Sequence, residues 1–209
     1  MKKQLAKLAL TAAIGLALTF TQAAATPLTD SRDKKTYKTV KIGEQVWMAE
    51  NLNYEAKEGS MCYDNKPANC QKYGRLYGYG YWDTYCPSGW HLPSNAEWDK
   101  LLHYVDGTSG TESPYNSKTA GKYLKAKSGW NENGNGTDKF GFSALPGGNL
   151  YFSEDYTEEN FGSIGAYGCW WSTSDDSNAF ARQISGNEVN YSDDEREFSD
   201  YCSVRCIKD

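Results

Sequence analysis

The chain has 209 residues and a formal net charge of −5 at neutral pH, with no run of basic residues. A charge of this sign argues against DNA or RNA as a partner, because nucleic-acid binding depends on a cationic surface. The content of 16 tyrosines, 7 tryptophans and 20 glycines favours short aromatic strands joined by glycine turns over a mainly helical protein.

The first 25 residues have the pattern of a secretory signal peptide. Three lysines precede an apolar stretch over residues 8–20, and alanines up to Ala25 offer a cleavage site. The stretch is shorter than the roughly 20 residues of a membrane-spanning helix, and a core helix is the alternative interpretation. Cleavage near Ala25 removes three of the 22 basic residues and none of the 27 acidic ones, which leaves a net charge of −8. We therefore expect a secreted, periplasmic or surface-held protein, and no lipoprotein because no cysteine precedes Cys62.

The rest of the chain divides into a leader and one domain. Residues 26–35 are polar without an apolar period and are predicted to form a flexible leader, followed by a single domain over residues 36–209. The domain begins with a predicted β-hairpin over residues 37–42 and 45–49. Its first strand alternates apolar and polar residues, and a Gly-Glu pair separates the two strands.

The clearest helix prediction lies between Ser94 and Gly107. Ser94 and Glu97 form an S-x-x-E capping box, and Gly107 suits the helix end. Apolar residues recur at helical spacing on one face, at Trp98, Leu101, Leu102 and Val105. A second, shorter helix is predicted over residues 119–127, and the Asn- and Gly-rich residues 129–138 predict a loop.

Short segments typical of strands follow in the second half of the chain. They are residues 140–145, 169–172, 179–184, 188–191 and 201–207. An N-terminal hairpin, one or two helices and then several strands predict an α+β fold. In such a fold the helices pack on short antiparallel strands, and we expect the first and last strands to share a sheet.

The six cysteines predict disulfides, because an even number in a secreted chain suits an oxidising compartment. Spacing alone does not decide among the pairings that six cysteines allow. Cys62 and Cys70 enclose a turn-rich segment, which predicts a local bridge. A zinc site is the rival interpretation; it is disfavoured because the chain has no Cys-x-x-Cys pair and only two histidines, His91 and His103.

Six motifs stand in order along the chain. They are Thr39–Tyr54, Tyr73–Tyr77, Cys86–Pro93, Phe142–Gly148, Cys169–Thr173 and Ser203–Cys206. Together they closely resemble the Fibrobacter succinogenes major paralogous domain family, over about residues 36–209. The resemblance implies a secreted or surface-exposed bacterial protein and brings no established biochemical activity with it.

The same motifs resemble the broader C-type-lectin-like fold, which formylglycine-generating enzymes share. That fold implies a long bridge from the first helix region to the last strand, where Cys86 and Cys206 stand. The predicted disulfides are then Cys62–Cys70, Cys86–Cys206 and Cys169–Cys202. Calcium-dependent sugar binding is not carried over, because the Glu-Pro-Asn or Gln-Pro-Asp and Trp-Asn-Asp motifs of such lectins are absent. Formylglycine chemistry is not carried over either, since all six cysteines have structural partners in this pairing.

Aromatic residues are the first group of candidate binding residues. Trp170 and Trp171 are adjacent, so on a strand they point to opposite faces, and an exposed tryptophan can stack on a sugar ring. Burial of both in an aromatic core is the simpler alternative. Tyr151 and Tyr156 are further candidates for ligand contact.

Acidic residues are the second group, comprising Asp175, Asp176, Asp193, Asp194 and Glu195. Carboxylates suit Ca²⁺, but the spacing of a calcium loop is missing, so solvated acidic loops are the simpler interpretation and no cofactor is predicted. The same acids are candidates for the paired carboxylates of a glycosidase. His91, before the helix, is expected to make a structural hydrogen bond.

The sequence thus predicts a binding or adhesion module for an extracellular polysaccharide or a surface protein, without a membrane span. An extracellular glycan hydrolase that uses paired acids is one alternative. A structural surface protein without catalytic activity is the other.

Overall fold

The computed structural model describes residues 25–110, 116–153, 158–173, 179–186, 188–192 and 201–209. Apart from Ala25, the predicted signal peptide lies outside these residues. So do six candidate binding residues, Tyr156, Asp175, Asp176, Asp193, Asp194 and Glu195.

The described residues form short strands and helices, numbered here in chain order. The strands β1–β14 are Leu28–Thr29, Thr36–Tyr37, Thr39–Ile42, Gln45–Met48, Ser60–Met61, Leu76–Gly78, Trp90–His91, Asn149–Phe152, Glu159–Gly162, Tyr167–Thr173, Ala179–Ser185, Glu188–Ser192, Tyr201–Cys202 and Ile207–Lys208. The helices α1–α4 are Pro67–Tyr73, Trp82–Tyr85, Asn95–Asp106 and Ala120–Leu124. Single turns of 3-10 helix span Tyr63–Asn65 and Tyr79–Tyr81.

The strands form four antiparallel sheets, which confirms the mixed α+β class. One sheet has the order β3-β4-β14-β7, so the last strand lies between two early ones, with Ile207 opposite both Trp47 and His91. The others have the orders β5-β6-β13-β8-β9, β10-β11-β12 and β1-β2. The predicted N-terminal hairpin, β3 and β4, therefore shares a sheet with the last strand, as expected.

The predicted capping box and helix end are both present in α3. The Ser94 hydroxyl accepts from the Glu97 amide, and the Glu97 carboxylate accepts from the Ser94 amide. The helix ends at Gly107 in the left-handed conformation, with φ 68°. Leu101, Leu102 and other apolar residues of one face are buried against β4 and β10 side chains. Local sequence signals therefore fix this helix.

Two other segments differ from their predictions. The helix predicted over residues 119–127 is shorter, because Lys125 leaves the helical conformation and pairs with Ala144 as an isolated bridge. The strand predicted over residues 140–145 is wrong: apart from Ala144, this segment is a loop. Positive φ angles at Gly141 and Ser143 break an extended strand, and Asp138 accepts hydrogen bonds from the amide and hydroxyl of Ser143, both at 2.7 Å.

The leader predicted over residues 26–35 is instead built into the fold, since β1 pairs with β2. Asp30 is fully buried and accepts hydrogen bonds from Arg32 at 2.7–3.1 Å. The same guanidinium donates to the backbone carbonyls of Thr84 and Tyr85, at 2.9 and 2.6 Å. The composition of residues 26–35 does not predict this structure, because a buried ion pair holds the segment in place and the segment contributes few apolar residues.

Strand β10 separates two aromatic clusters of the core. Trp170 lies in the cluster under α3, with Trp47 and Trp98, while Trp171 lies in the cluster around Tyr77. The predicted bridges Cys62–Cys70, Cys86–Cys206 and Cys169–Cys202 are all present. No helix of the described residues is both long and apolar enough to span a bilayer.

Candidate binding groove

The two tryptophans proposed for ligand stacking are core residues. Trp170 and Trp171 are 0% and 1% exposed, and their indole N–H groups donate to Asn51 and to the Tyr77 carbonyl. Strand β10 does direct them to opposite faces, as predicted, but both faces are covered. The alternative of burial in an aromatic core is confirmed, and stacking on a ligand has to come from other residues.

Tyr151 is the one aromatic candidate that the described residues leave on the surface, 46% exposed on β8. The remaining candidates, Tyr156 and the five acidic residues, lie outside the description and stay predictions. Among described residues, no group of three or more His, Cys, Asp or Glu side chains is placed to hold a metal ion.

His91 makes the structural contacts expected of it. Its Nδ1 lies 2.7 Å from a carboxylate oxygen of Asp209, and its Nε2 lies 2.9 Å from the Glu97 carboxylate of the capping box. Partial burial alone would lower the pKa of His91, but the hydrogen bonds to the two carboxylates raise it above its usual value. The histidine thus ties the last residue to the start of α3.

A surface cleft beside β2 and α1 is the central part of the candidate site. Its volume is about 440 Å³, and its walls come from residues 35–38, 49–53 and 70–74 together with Ser143. These segments are distant in sequence. Side-chain amides and hydroxyls such as those of Thr36 and Gln71 line it, and such groups hydrogen-bond to polar ligands.

Two further clefts extend this one in opposite directions. One, of about 590 Å³, shares Lys35, Asn53, Cys70 and Gln71 with the central cleft and reaches Arg75. The other, of about 400 Å³, shares Lys38, Ala49 and Ser143 with it and reaches Phe140. Because both clefts share wall residues with the central one, we take the three together as one groove. We call it the groove below.

Asn51 forms the floor of the groove and is fully hydrogen-bonded. Its amide nitrogen donates to the Tyr73 carbonyl at 2.7 Å and to the Ser203 hydroxyl at 3.2 Å. Its oxygen accepts from Trp170 Nε1 at 2.9 Å and from Arg205 Nε at 2.8 Å. Four bonds use the whole capacity of an amide side chain, so Asn51 holds the floor rigid and has nothing left for a ligand.

Arg205 lies beneath this floor as a buried cation, with no carboxylate of the described residues at ion-pair distance. It is 0% exposed, and besides Asn51 it donates to the backbone carbonyls of Phe142 and Ser143. The Phe142 ring lies 4.3 Å from its guanidinium carbon. Burial lowers the pKa of Arg205 to about 9, so it is charged at neutral pH. Carbonyl dipoles and an aromatic face therefore stabilise this charge.

The side chains of Asn51, Trp170, Ser203 and Arg205, with the carbonyls of Tyr73, Phe142 and Ser143, form one polar hub. Five of the six motifs that carry the family resemblance contribute to it. The sixth is bound to it through the Cys86–Cys206 bridge, next to Arg205. These motifs therefore have a structural explanation, because they build the support beneath the groove.

Gly74 lets α1 approach the hub. Its φ is +80°, and a β-carbon there would lie 2.7 Å from Cβ of Asn51 and 2.8 Å from the carbonyl oxygen of Leu52. Another residue would be strained and would push the end of α1 away from the floor. The Cys62–Cys70 bridge holds the same helix at its centre. This wall of the groove is therefore fixed from two sides.

An aromatic patch lies at one end of the groove and comprises Tyr104, Tyr123 and Phe140. The ring of Phe140, which lines the third cleft, is 5.8 Å from that of Tyr104 and 6.4 Å from that of Tyr123. Tyr104 is 52% exposed. The patch gives a ligand in the groove a ring face to stack on.

Sequence reasoning did not identify the hub or the groove. Arg205 stands between the apolar residues Val204 and Cys206, and a buried polar residue needs partners. That was the one signal available for the hub. The groove had none, because its walls meet only in the folded chain.

Comparison with known proteins gives a family and no closer relative. Residues 40–208 match the family model described as the Fibrobacter succinogenes major domain. No curated protein and no solved structure matches. The family predicted from the six motifs is confirmed.

Proposed function

The chain belongs to the Fibrobacter succinogenes major domain family, and we propose that it is an extracellular module that binds a polysaccharide in its groove. The observation that carries the proposal is a groove, lined by amide and hydroxyl groups, with the aromatic patch at its end. Stacking rings beside hydrogen-bonding groups suit sugar chains. A surface protein in the same groove is the other partner that the sequence predicted.

Location and fold class are part of the proposal. The predicted signal peptide and three disulfides support an extracellular site of action. The long bridge from Cys86 to Cys206 and the sheet shared by early and late strands support a C-type-lectin-like arrangement. The walls of the groove come from β2, α1 and the loop that contains Ser143.

The alternative of a glycan hydrolase depends on acids that lie outside the described residues. Nothing in the described part favours it over binding, so it stays a prediction.

A binding panel tests the proposed function directly. The purified protein with its disulfides formed is titrated with neutral and acidic plant and microbial polysaccharides, with calcium and then with EDTA. We expect binding to at least one polysaccharide, and we expect it to survive EDTA because the proposed contacts are hydrogen bonds and stacking rings. If the protein binds none of the polysaccharides, the proposal is overturned.

A pair of tyrosine variants tests the location of the site. Tyr104→Ala removes the exposed ring of the aromatic patch and is expected to weaken binding by about tenfold. Tyr151→Ala is the matched control, because Tyr151 is exposed to a similar degree but belongs to neither the groove nor the aromatic patch, whereas Tyr104 packs against the groove residue Phe140. Equal loss in both variants, or loss in Tyr151→Ala alone, would place the ligand elsewhere.

A further inference from the structure

The distribution of charge around the groove differs from that of the chain as a whole. The chain carries a net charge of −5, yet the residues that line the groove include five basic side chains and two acidic ones. The basic ones are Lys35, Lys38, Lys72, Arg75 and Lys139, and the acidic ones are Glu50 and Glu55. We propose that the polysaccharide bound in the groove is an anionic one, with carboxylate or sulfate groups along its chain. This inference rests on the proposed function.

The central cations are available to a ligand. Lys38 is 82% exposed on its side chain, and its ammonium lies 3.7 Å from the Glu50 carboxylate, a loose contact in water. Lys72 is exposed and lies 4.6 Å from the centre of the Tyr73 ring. Neither contact is costly to exchange for an anionic group of a ligand. Both lysines line the central cleft.

Arg75 supplies unused hydrogen-bonding capacity at one end of the groove. Its Nη2 contacts the exposed Glu55 carboxylate at 2.9 Å, while its Nε has no hydrogen-bond partner among the described residues. A guanidinium has five N–H donors in a fork that matches carboxylate and sulfate oxygens.

Lys139 joins the cationic groove to the aromatic patch. Its ammonium lies 5.0 Å from the centre of the Tyr123 ring and 5.1 Å from that of Phe140. A charged group therefore stands beside stacking rings, and acidic sugars offer a ring face and a negative group together. This combination favours an acidic polysaccharide over an acidic peptide, which offers the charge without the sugar face.

The probes for the test differ only in charge. Polygalacturonate carries a carboxylate on every sugar, and its fully methyl-esterified form has the same backbone without charge. Titration of the disulfide-bonded protein in EDTA avoids calcium gels. We expect the charged form to bind at least tenfold more tightly, and we expect its binding to weaken between about 0.05 and 0.5 M salt because screening lengths shorten. Dextran sulfate tests sulfate groups, and polyglutamate tests charge without sugar.

Charge variants locate the effect. The double variant Lys38→Gln, Lys72→Gln is expected to weaken polygalacturonate binding by about fivefold, because exposed charge contacts are individually small. The control Lys118→Gln, Lys208→Gln removes the same charge at exposed lysines outside the groove and should bind normally. The variant Lys38→Arg, Lys72→Arg keeps the charge and should retain affinity.

The outcomes separate this inference from the proposed function. Tight binding of uronate or sulfate chains that only the groove variant weakens supports the inference and names the anionic group. Equal binding of charged and esterified chains overturns the anionic preference and leaves polysaccharide binding intact. Polyglutamate binding as tight as polygalacturonate binding overturns the preference for sugars. Equal loss in groove and control variants overturns the location.

Discussion

Two fully buried arginines hold the core together by different means. Arg182 on β11 forms an ion pair with Asp99 on α3, with 2.6 Å between Nη2 and Oδ1. Arg205 is held by Asn51 and two backbone carbonyls, and no carboxylate in the described part of the chain lies at contact distance from it. The opposite charge of Asp99 compensates Arg182, whose Nη2 also donates to the Asn95 carbonyl at 3.4 Å, and dipoles compensate Arg205.

The difference decides which arrangement tolerates replacement. An ion pair is a unit of two side chains, and both can be exchanged for apolar groups of similar size at little cost. The hub includes backbone carbonyls, which no substitution removes, so any loss of its donors leaves buried acceptors unpaired. We therefore expect the support of the groove to be the least replaceable part of the core.

The largest effect is expected for Asn51→Ala. It leaves Arg205 Nε, Trp170 Nε1 and the Tyr73 carbonyl without partners in the interior and should lower the free energy of unfolding by about 5 kcal/mol. Urea unfolding followed by tryptophan fluorescence, with disulfides intact, measures this. Asn53→Ala is the control, because no hydrogen bond of its side chain supports the hub, and it should cost no more than about 0.5 kcal/mol. Similar losses in both variants would contradict the role of the hub.

The second largest loss of stability is expected when the ion pair between Arg182 and Asp99 is broken. Asp99→Ala leaves the Arg182 charge buried and should cost about 4 kcal/mol, whereas the double variant Arg182→Met, Asp99→Leu should lie within about 1 kcal/mol of the wild type. Unfolding by urea compares the three proteins. Double-variant stability as low as that of Asp99→Ala would show that this pair, too, is irreplaceable.

A lysine at each arginine position compares the two directly. Arg205→Lys should cost about 3 kcal/mol, because an ammonium cannot reach three acceptors arranged for a guanidinium fork. Arg182→Lys should cost only about 1 kcal/mol, since a point charge can still meet one oxygen of Asp99. Thermal unfolding of both variants shows which one loses more stability. A larger loss for Arg182→Lys than for Arg205→Lys would contradict the view that dipoles hold Arg205 and an opposite charge holds Arg182.

The smallest effect is expected at His91, where solvent takes part in compensating the charge. Hydrogen bonds to Asp209 and Glu97 raise its pKa in the folded state, so the stabilisation is complete below pH about 6.5 and is lost as pH rises through the raised value. Because the side chain is 42% exposed, His91→Gln should cost only about 0.5 kcal/mol at pH 5.5 and less at pH 9. Urea unfolding across this range checks it. A cost that grows with pH would contradict the assigned contacts.

Sequence patterns predicted the parts of this fold that depend on neighbours along the chain. The Ser94–Glu97 box, the Gly107 end and the hairpin that begins with β3 each depend on contacts within a few residues. The composition of residues 63–69 predicts a turn-rich segment, yet residues 67–69 begin α1, because Pro67 suits the first turn of a helix.

The parts that were missed depend on contacts between distant residues. The burial of Asp30 requires Arg32 to reach the carbonyls of Thr84 and Tyr85, and no local pattern shows this. The groove is similar, because its cations come from three separate segments. Trp170 and Trp171 had two interpretations, and only the packing of β10 between two clusters decided between them.

The central position of β14 in its sheet has a consequence for the order of folding. β4 and β7 pair with this strand. Cys86 forms its disulfide with Cys206, which lies 120 residues later in the chain. Synthesis proceeds from the N-terminus, so both strands keep unpaired edges, which are prone to aggregation, until β14 has been made. The sheet can close only after Ile207 has been synthesised, and a chain truncated before Ile207 keeps these edges open.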